Sequence, residues 1–539
     1  VTLAGALLVA SVATPLLVAA VVAVLGRRVR PLDVAVLGPI PGLVAALVAP
    51  LGTTVTFPWP MRIVLALDAP GAALLGGAAL LWMLAALYAR RYLADDPRAS
   101  RFVVWWLMTQ AGSLGTFLVA DVASFYLVFS LASLAATVLV SHEATARARR
   151  AGAIYLALAV VGEAALLLAF VMLSSGAGGN PLIADAVARL PASPGEPVIV
   201  ALLVVGFGLK MGLVPLHVWM PIAHPVAPMP ASAVLSGIIV KAGVIGLVRF
   251  LPLGDGAAAT GAVLMAAGLV TAYYAVAVGL TQRHPKTVLA YSTVSQMGFT
   301  AVVIGAGLAA GAPSTGAVAA FYALNHLLVK GALFLGVGVA TGGRHRGLVL
   351  AAMAVLALSL AGLPLTGGTL AKYAAKLLIG EGTAGLLATL AAAGSTMLML
   401  RFLSLLAASS GAAGEGPPRG LIGPWAAASL AALVLPWLVM AALTGASPAL
   451  ALAPASLWAA AWPIGLGAVL LAILGRRIDR LPAVPEGDVV VLAEAGSTAV
   501  RRAGRTIETA DAVLREWPAG AAALLVTALA VALALGLAH

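Results

Sequence analysis

The sequence predicts an all-α polytopic membrane protein of about sixteen transmembrane helices, and three observations predict it. Of 539 residues, 62% are hydrophobic and only 9% charged, against about 45–50% and 25% in soluble domains. The mean hydropathy is +1.08. The apolar residues fall in continuous runs of roughly 20, the length that crosses a hydrocarbon core about 30 Å thick. A β-barrel would instead alternate polar and apolar residues in segments of about ten. The 59 Gly and 32 Pro suit membrane helices, where neighbours satisfy freed backbone groups.

The spans follow in order. Residues 3–25 lack a basic segment ahead of them and form a run longer than a signal-peptide core, so they are expected to stay as a retained first helix. The run at 32–51 opens after Arg27, Arg28 and Arg30, and that at 70–89 closes on Arg90 and Arg91. Runs at 102–119 and 122–141 are parted only around Asp121. The run at 151–174 opens after Arg147, Arg149 and Arg150, and those at 198–219 and 230–251 flank the proline-rich AHPVAPMP. Runs at 257–280, 287–309 and 316–340 are separated by TQRHPK and GAPST, and 348–366, 383–408, 421–445 and 455–475 follow. The last, 518–537, lies beyond the long polar interruption 476–517. That segment spreads Arg, Glu and Asp among apolar residues, as does a helix lying on the membrane surface or against a partner. The plainer alternative is a solvated linker.

Loops after odd-numbered spans carry Arg27, Arg28, Arg30, Arg90, Arg91, Arg98, Arg147, Arg149, Arg150, Arg283, Arg344, Arg346, Arg476, Arg477 and Arg480. Loops after even-numbered spans carry little beyond Arg62 and Arg189. The positive-inside rule therefore places both termini on the non-cytoplasmic side of a cell (inner) membrane. The same loops account for the net charge of +12, so no nucleic-acid partner is implied. Cysteine is absent, which excludes disulfides, thiolate-bound zinc and cysteine-ligated iron–sulfur clusters within the chain. No Gly-rich phosphate loop follows a strand, and the expectation is no cofactor and no metal.

Function is signalled by ionisable residues inside apolar runs: Glu163, Lys210, Lys241, His326, Lys330 and Lys372. One charge at mid-membrane costs about 2.5–3.5 kcal/mol on insertion scales, so one such residue is tolerable as an accident and six are not. Snorkelling is the bland alternative for each lysine, strongest for Lys372 beside a helix break. The functional reading is a polar axis along which lysine, histidine and carboxylate exchange protons, because desolvation disfavours a charged amine and a nearby carboxylate restores it. Two runs are interrupted by proline among small residues, at Lys210-Met-Gly-Leu-Val-Pro215-Leu-His217 and at Gly362-Leu-Pro364-Leu-Thr-Gly-Gly-Thr-Leu-Ala-Lys372. Broken helices in corresponding positions of two halves mark inverted-repeat transporters, whereas either break alone reads as a proline kink.

At these residues the chain resembles a known family. The segment KMGLVPLHVWMPIAHPVAPMPASAVLSGIIVKAGVIGLVRF resembles the central signature of the antiporter-like subunits of complex I, membrane-bound hydrogenases and Mrp-type cation/proton antiporters. HPKTVLAYSTVSQMGF and NHLLVKGALFLG are similar to two further family segments in the expected order, and the likeness covers roughly residues 100 to 400. It implies a fourteen-helix core containing two inverted five-helix repeats. The divisions are then 1–100, N-terminal helices; 101–251, first repeat; 252–410, second repeat; and 411–475, C-terminal core helices. An amphipathic surface segment, 476–517, and an extra helix, 518–539, complete the chain.

The resemblance also implies roles. Lys210 looks like the broken-helix lysine that pairs with a carboxylate, Lys241 like the central relay, His326 and Lys330 like the relay to the second half, and Lys372 like the lysine that opens to one side. His217, after the first break, is expected on the proton path, with helix packing as its alternative. His224 is an accessory, with a loop-stabilising hydrogen bond as its alternative. One departure stands out: family members usually carry Trp-Glu in the fifth span, where this chain has Phe129 and Ser130. Glu163, in the sixth span, is the candidate to supply the missing carboxylate.

The function expected is a proton-translocating, antiporter-like subunit of a multisubunit membrane complex in the lipid bilayer. A Mrp-type antiporter is placed first, with a complex I-like oxidoreductase or hydrogenase second and a non-transporting scaffold third. In the redox case the chain would carry no redox site itself. Protons are the expected ion, since sodium needs several oxygen ligands and the interior offers few carboxylates. Any sodium is left to partner subunits.

Overall fold

The computed structural model describes residues 2–58, 62–175, 179–254, 257–340, 346–409 and 420–491. Arg344, the run at 518–537 and most of 476–517 lie outside the described residues. Residues 1–486 form one compact unit and 487–539 a second, in which 488–491 make a helical turn.

The first unit is almost entirely helical. Helix α1 (Leu3–Leu25) starts where the Thr2 hydroxyl accepts the Gly5 amide at 3.1 Å. The run expected at 32–51 is not one continuous helix: α2 (Pro31–Val34) passes through a 3₁₀ turn before α3 (Ile40–Val48). Pro39 and Pro41 supply no amide for the helical ladder there, which interrupts it. A two-strand antiparallel hairpin, β1 (Thr54–Phe57) and β2 (Ile63–Ala66), then leads into α4 (Ala69–Tyr92), capped by Asp68. No signal in the apolar pattern foretold these strands.

Helices α5 (Ala99–Thr116), α6 (Val122–Val140) and α7 (Ala146–Ser174) follow, the last two capped by Asp121 and Thr145. Arg249 binds the end of α5 and the start of α4 together. Its guanidinium donates to the carbonyls of Thr116, Phe117 and Val119 and pairs with Asp68 at 3.0 Å. After the short α8 (Ile183–Ala188), the run at 198–219 divides into α9 (Glu196–Met211) and α10 (Trp219–Val226). The next contains α11 (Met229–Val234) and α12 (Val240–Phe250), joined by a π-helical turn at Leu235–Ile239. Such π turns are frequent at functional sites.

Helices α13 (Ala258–Leu280) and α14 (Pro285–Ala310) pack backbone to backbone. A Cβ at Gly268 would lie 2.5 Å from the Gly298 carbonyl, and one at Gly298 would lie 2.6 Å from that of Gly268. Small residues permit this approach where lipid gives no hydrophobic drive to helix association. Helix α15 (Thr315–Val339) is the most enclosed, all of its central window being buried. The remaining helices are α16 (Arg346–Ala361), α17 (Gly367–Ile379), α18 (Thr383–Ala408), α19 (Ile422–Thr444), α20 (Pro448–Ala451) and α21 (Pro454–Ile478).

Thirteen helical stretches among the described residues are long and apolar enough to cross a membrane, counting α2–α3, α9–α10 and α11–α12 as one each. Helix α5 and the shorter α16 occupy the two other positions read from the sequence. The all-α polytopic class is therefore observed.

Candidate functional site

Two helix breaks organise the interior, and their upstream halves end alike. At the first, Gly212 (φ 80°) donates to the Leu209 carbonyl and Leu213 to that of Gly208. At the second, Gly362 (φ 101°) donates to Ser359 and Leu363 to Leu358, the same steps of three and five residues. Both glycines occupy left-handed backbone that a side chain would strain. Pro215 and Pro364, just beyond, cannot donate to a continuing ladder. Freed groups find partners: the Val214 amide meets Thr271 Oγ1 at 3.1 Å, and the Leu209 carbonyl accepts from Trp219 Nε1 at 2.9 Å.

Lys210 stands in the last turn of α9, where α7 crosses. A Cβ at Gly206 would come within 2.9 Å of the Gly162 carbonyl, so the two helices touch there and bring the residue after Gly162, Glu163, to the same level. Glu163 and Lys210 line one cavity with Phe129, Ser133, Tyr155 and Trp219; its volume is about 10 Å³, roughly what the centre of one water needs. Lys210 Nζ donates to the Tyr155 hydroxyl at 3.3 Å and sits 5.5 Å from the Phe129 ring centroid. Glu163 Oε1 and Ser130 Oγ are buried without a hydrogen-bond partner among the described residues.

A second cluster fills the centre. Lys241 Nζ lies 2.6 Å from His326 Nδ1 and donates to the Ser236 carbonyl in the π turn at 3.1 Å. Lys330, one turn after His326 on α15, donates to Ser292 Oγ and to the Leu289 carbonyl at 2.8 Å. Helix α14 continues the row: Gln296, one turn from Ser292, donates to Ser395 Oγ at 2.9 Å and accepts from the Tyr322 hydroxyl at 2.5 Å. Lys241, Lys330 and His326 are at most 1% exposed.

The remaining candidates are placed as follows. His217 is fully buried against the rings of Tyr274 and Tyr291, at 5.3 and 6.1 Å. His224 stacks on Phe334 at 4.8 Å, and neither ring nitrogen has a hydrogen-bond partner among the described residues. Its backbone carbonyl, not its ring, accepts from Ser232 of α11 across the loop at Ala227 and Pro228. Near it, Lys286 ties α14 to that loop through the Ala227 carbonyl at 2.6 Å. Lys372 lies apart from the central row, at the wall of a cavity of about 560 Å³ between α17, α18 and α21, with its Nζ 5.6 Å from the Phe299 ring centroid. Its side-chain stem passes so close to Gly362 that a Cβ there would sit 2.9 Å from Lys372 Cδ.

The structure thus gathers Glu163 with Lys210, and Lys241 with His326 and Lys330. Tyr155, Ser292, Gln296, Phe299, Tyr322 and Ser395 were not singled out from the sequence. The available signal was the helical spacing of Ser292, Gln296 and Phe299 within HPKTVLAYSTVSQMGF, which puts them on one face.

Similarity to known proteins bears on what this arrangement belongs to. The model of the family described as NADH:quinone oxidoreductase/Mrp antiporter, TM matches residues 119–400, just over half of the chain. The chain belongs to this family. The match takes in both breaks and every charged residue of the clusters above. Hydrogenase-4 component B of Escherichia coli (strain K12) is 33% identical over 278 residues, covering 48% of this chain and 40% of that protein. A probable K(+)/H(+) antiporter subunit of Rhizobium meliloti (strain 1021) is 31% identical over 264 residues, covering 48% of this chain and 26% of that protein. The chain therefore spans less than half the length of these two relatives. In fold, it is similar to a chain in the structure of the Mrp complex from Dietzia sp. DQ12-45-1b, with a TM-score of 0.80 at 23% identity, over 99% of this chain and 63% of that one. Antiporter-like family members are thus found with antiport, hydrogenase and quinone-reducing names, and this chain shares their polytopic fold.

Proposed function

We propose that this chain is a proton-conducting subunit of a multisubunit membrane complex, of the Mrp-type cation/proton antiporter kind. The observation that carries the reading is the Lys241–His326 contact at 2.6 Å, continued by Lys330 and Ser292, all of them buried. A buried amine on an imidazole nitrogen, with hydroxyl and carbonyl acceptors beyond, is an arrangement that passes a proton. Glu163 and Lys210 supply the first station, with the carboxylate on α7 rather than in the fifth span. The proton is held on the Lys210 amine while the carboxylate faces it, and moves toward Lys241 when that attraction is relaxed. Lys372 is the last station, in the cavity on the side reached by the end of α17. With positive loops inside, that side is non-cytoplasmic.

The identity with a probable K(+)/H(+) antiporter subunit supports the Mrp-type reading. The identity with a hydrogenase component keeps the redox-driven alternative in view. Both use the same path. The complex purified with its own partners and reconstituted in vesicles tests the choice: sodium or potassium gradients should drive proton movement in the Mrp case. Proton movement that responds only to electron donors would replace it with the redox reading.

A further inference from the structure

We infer that Phe299 is a removable barrier that separates the central hydrogen-bonded row from the Lys372 cavity, so that a proton crosses only when this ring moves. The inference rests on the proton-conducting reading above and adds a residue to it that bears no proton.

The row and the cavity approach each other from opposite sides of one aromatic pair. On the inner side, Lys330 reaches Ser292, Gln296 stands one turn further on, and the Tyr322 hydroxyl donates to Gln296 at 2.5 Å while Ser395 accepts from it at 2.9 Å. All of these groups are buried, and Gln296, Tyr322 and Ser395 are each 3% exposed. On the other side lies the cavity of about 560 Å³, with Lys372 at its wall and the Lys376–Glu381 ion pair, 2.9 Å, among its lining residues. Phe299 belongs to both sides: it lines the cavity, and its ring stacks on Tyr322 at 4.9 Å with an interplanar angle of 23°.

Proton transfer needs donor and acceptor about 2.6–3.2 Å apart, or one water between them. A phenyl ring offers neither a lone pair of that kind nor an exchangeable hydrogen. Tyr322 therefore ends the inner row, Lys372 begins the outer path, and Phe299 interrupts the sequence between them. The cation–π contact of Lys372 with Phe299 gives the amine a resting place against the barrier. Such insulation is what a coupled transporter requires, because a row of buried polar groups open at one end to a large cavity would leak.

The absence of cysteine from the chain allows a direct test that needs no transport. Ser395→Cys reports on the inner row and Thr389→Cys on the cavity, both in the assembled complex in vesicles open to a small hydrophilic thiol reagent on the cavity side. With Phe299 intact, the reagent should modify Thr389→Cys and leave Ser395→Cys untouched. With Phe299→Ala added, Ser395→Cys should become reactive, and the same vesicles without reporter cysteines should dissipate an imposed pH gradient at least tenfold faster than wild type. Should Phe299→Ala fail to assemble, Phe299→Leu removes the flat ring while keeping most of the volume, and the same labelling is read. Modification of Ser395→Cys with Phe299 in place would overturn the inference, as would vesicles that stay tight with Ser395→Cys unmodified in both variants. A wrong functional reading would appear elsewhere, as full transport by a Lys241 variant, with the labelling pattern unaffected.

Discussion

Glu163 and Lys210, on helices that cross at Gly162 and Gly206, face the same cavity of about 10 Å³. The resemblance implies a carboxylate in the fifth span, where this chain has Ser130, and an acid one helix along lines the cavity of the lysine. A charged amine buried without a counter-charge tends to lose its proton. A carboxylate within about one water of it provides the means to hold and release that proton. On the proposed function, this cavity is where the switching pair meets.

Lys241 is the first residue to test in the central row. Lys241→Ala should bring proton-coupled transport to background while the complex is recovered in normal amount. Lys241→Arg should keep the charge and still transport poorly, because a guanidinium does not release its proton. Proton uptake by reconstituted vesicles measures both, and wild-type rates in the alanine variant would remove Lys241 from the path.

Tyr155 accepts from Lys210 at 3.3 Å, on the same helix as Glu163 and two turns before it. Tyr155→Phe keeps the ring against Trp219 and deletes that acceptor. Transport should fall a few-fold, less than on loss of the Glu163 charge. Kinetics of the two variants side by side check the order, and an inert Tyr155→Phe would leave the phenol a packing role.

Glu486 joins two elements at the arginine-rich face: its carboxylate accepts from Thr287 at 2.9 Å and pairs with Arg147. Val484 binds the end of α13 through Thr281 and Gln282. This stretch therefore acts as a strap on the core. Glu486→Ala should lower the thermal stability of the detergent-purified complex by about 1 kcal/mol, leaving transport per assembled complex unchanged. A melting curve by tryptophan fluorescence reads the effect.

Asp96, in the loop between α4 and α5, accepts from the Arg98 amide at 2.7 Å and meets His142 Nε2 at 2.9 Å. Burial raises its pKa, but the Arg98 amide, the His142 ring and the Arg98 guanidinium outweigh burial and hold the carboxyl below its ordinary value. A depressed carboxylate stabilises the fold above the unfolded value, about 3.9, and the contribution fades as pH falls through the folded value. Asp96→Asn should thus melt earlier than wild type at pH 7, with the gap closing below about pH 4. A gap that widens on acidification would contradict this sign.

The spans were legible because twenty apolar residues in a row have few other fates, and the arginine pattern checked the count. The division of α2 from α3 was written in Pro39 and Pro41 but hidden by an apolar run, and the hairpin was invisible because its strands are short. Within the site, charges in lipid-length segments declare themselves by their cost. Gln296, Tyr322 and Ser395 do not, since neutral polar residues are common in membrane helices and acquire meaning only when the register of α14, α15 and α18 brings them together.

The pairing of Glu163 with Lys210 is the central claim, and proton translocation by the assembled complex carrying Glu163→Gln tests it most directly. The variant should assemble normally and lose at least tenfold in rate, and adding Ser130→Glu, which returns a carboxylate to the fifth span, should restore part of that rate. Wild-type translocation by Glu163→Gln would contradict the account.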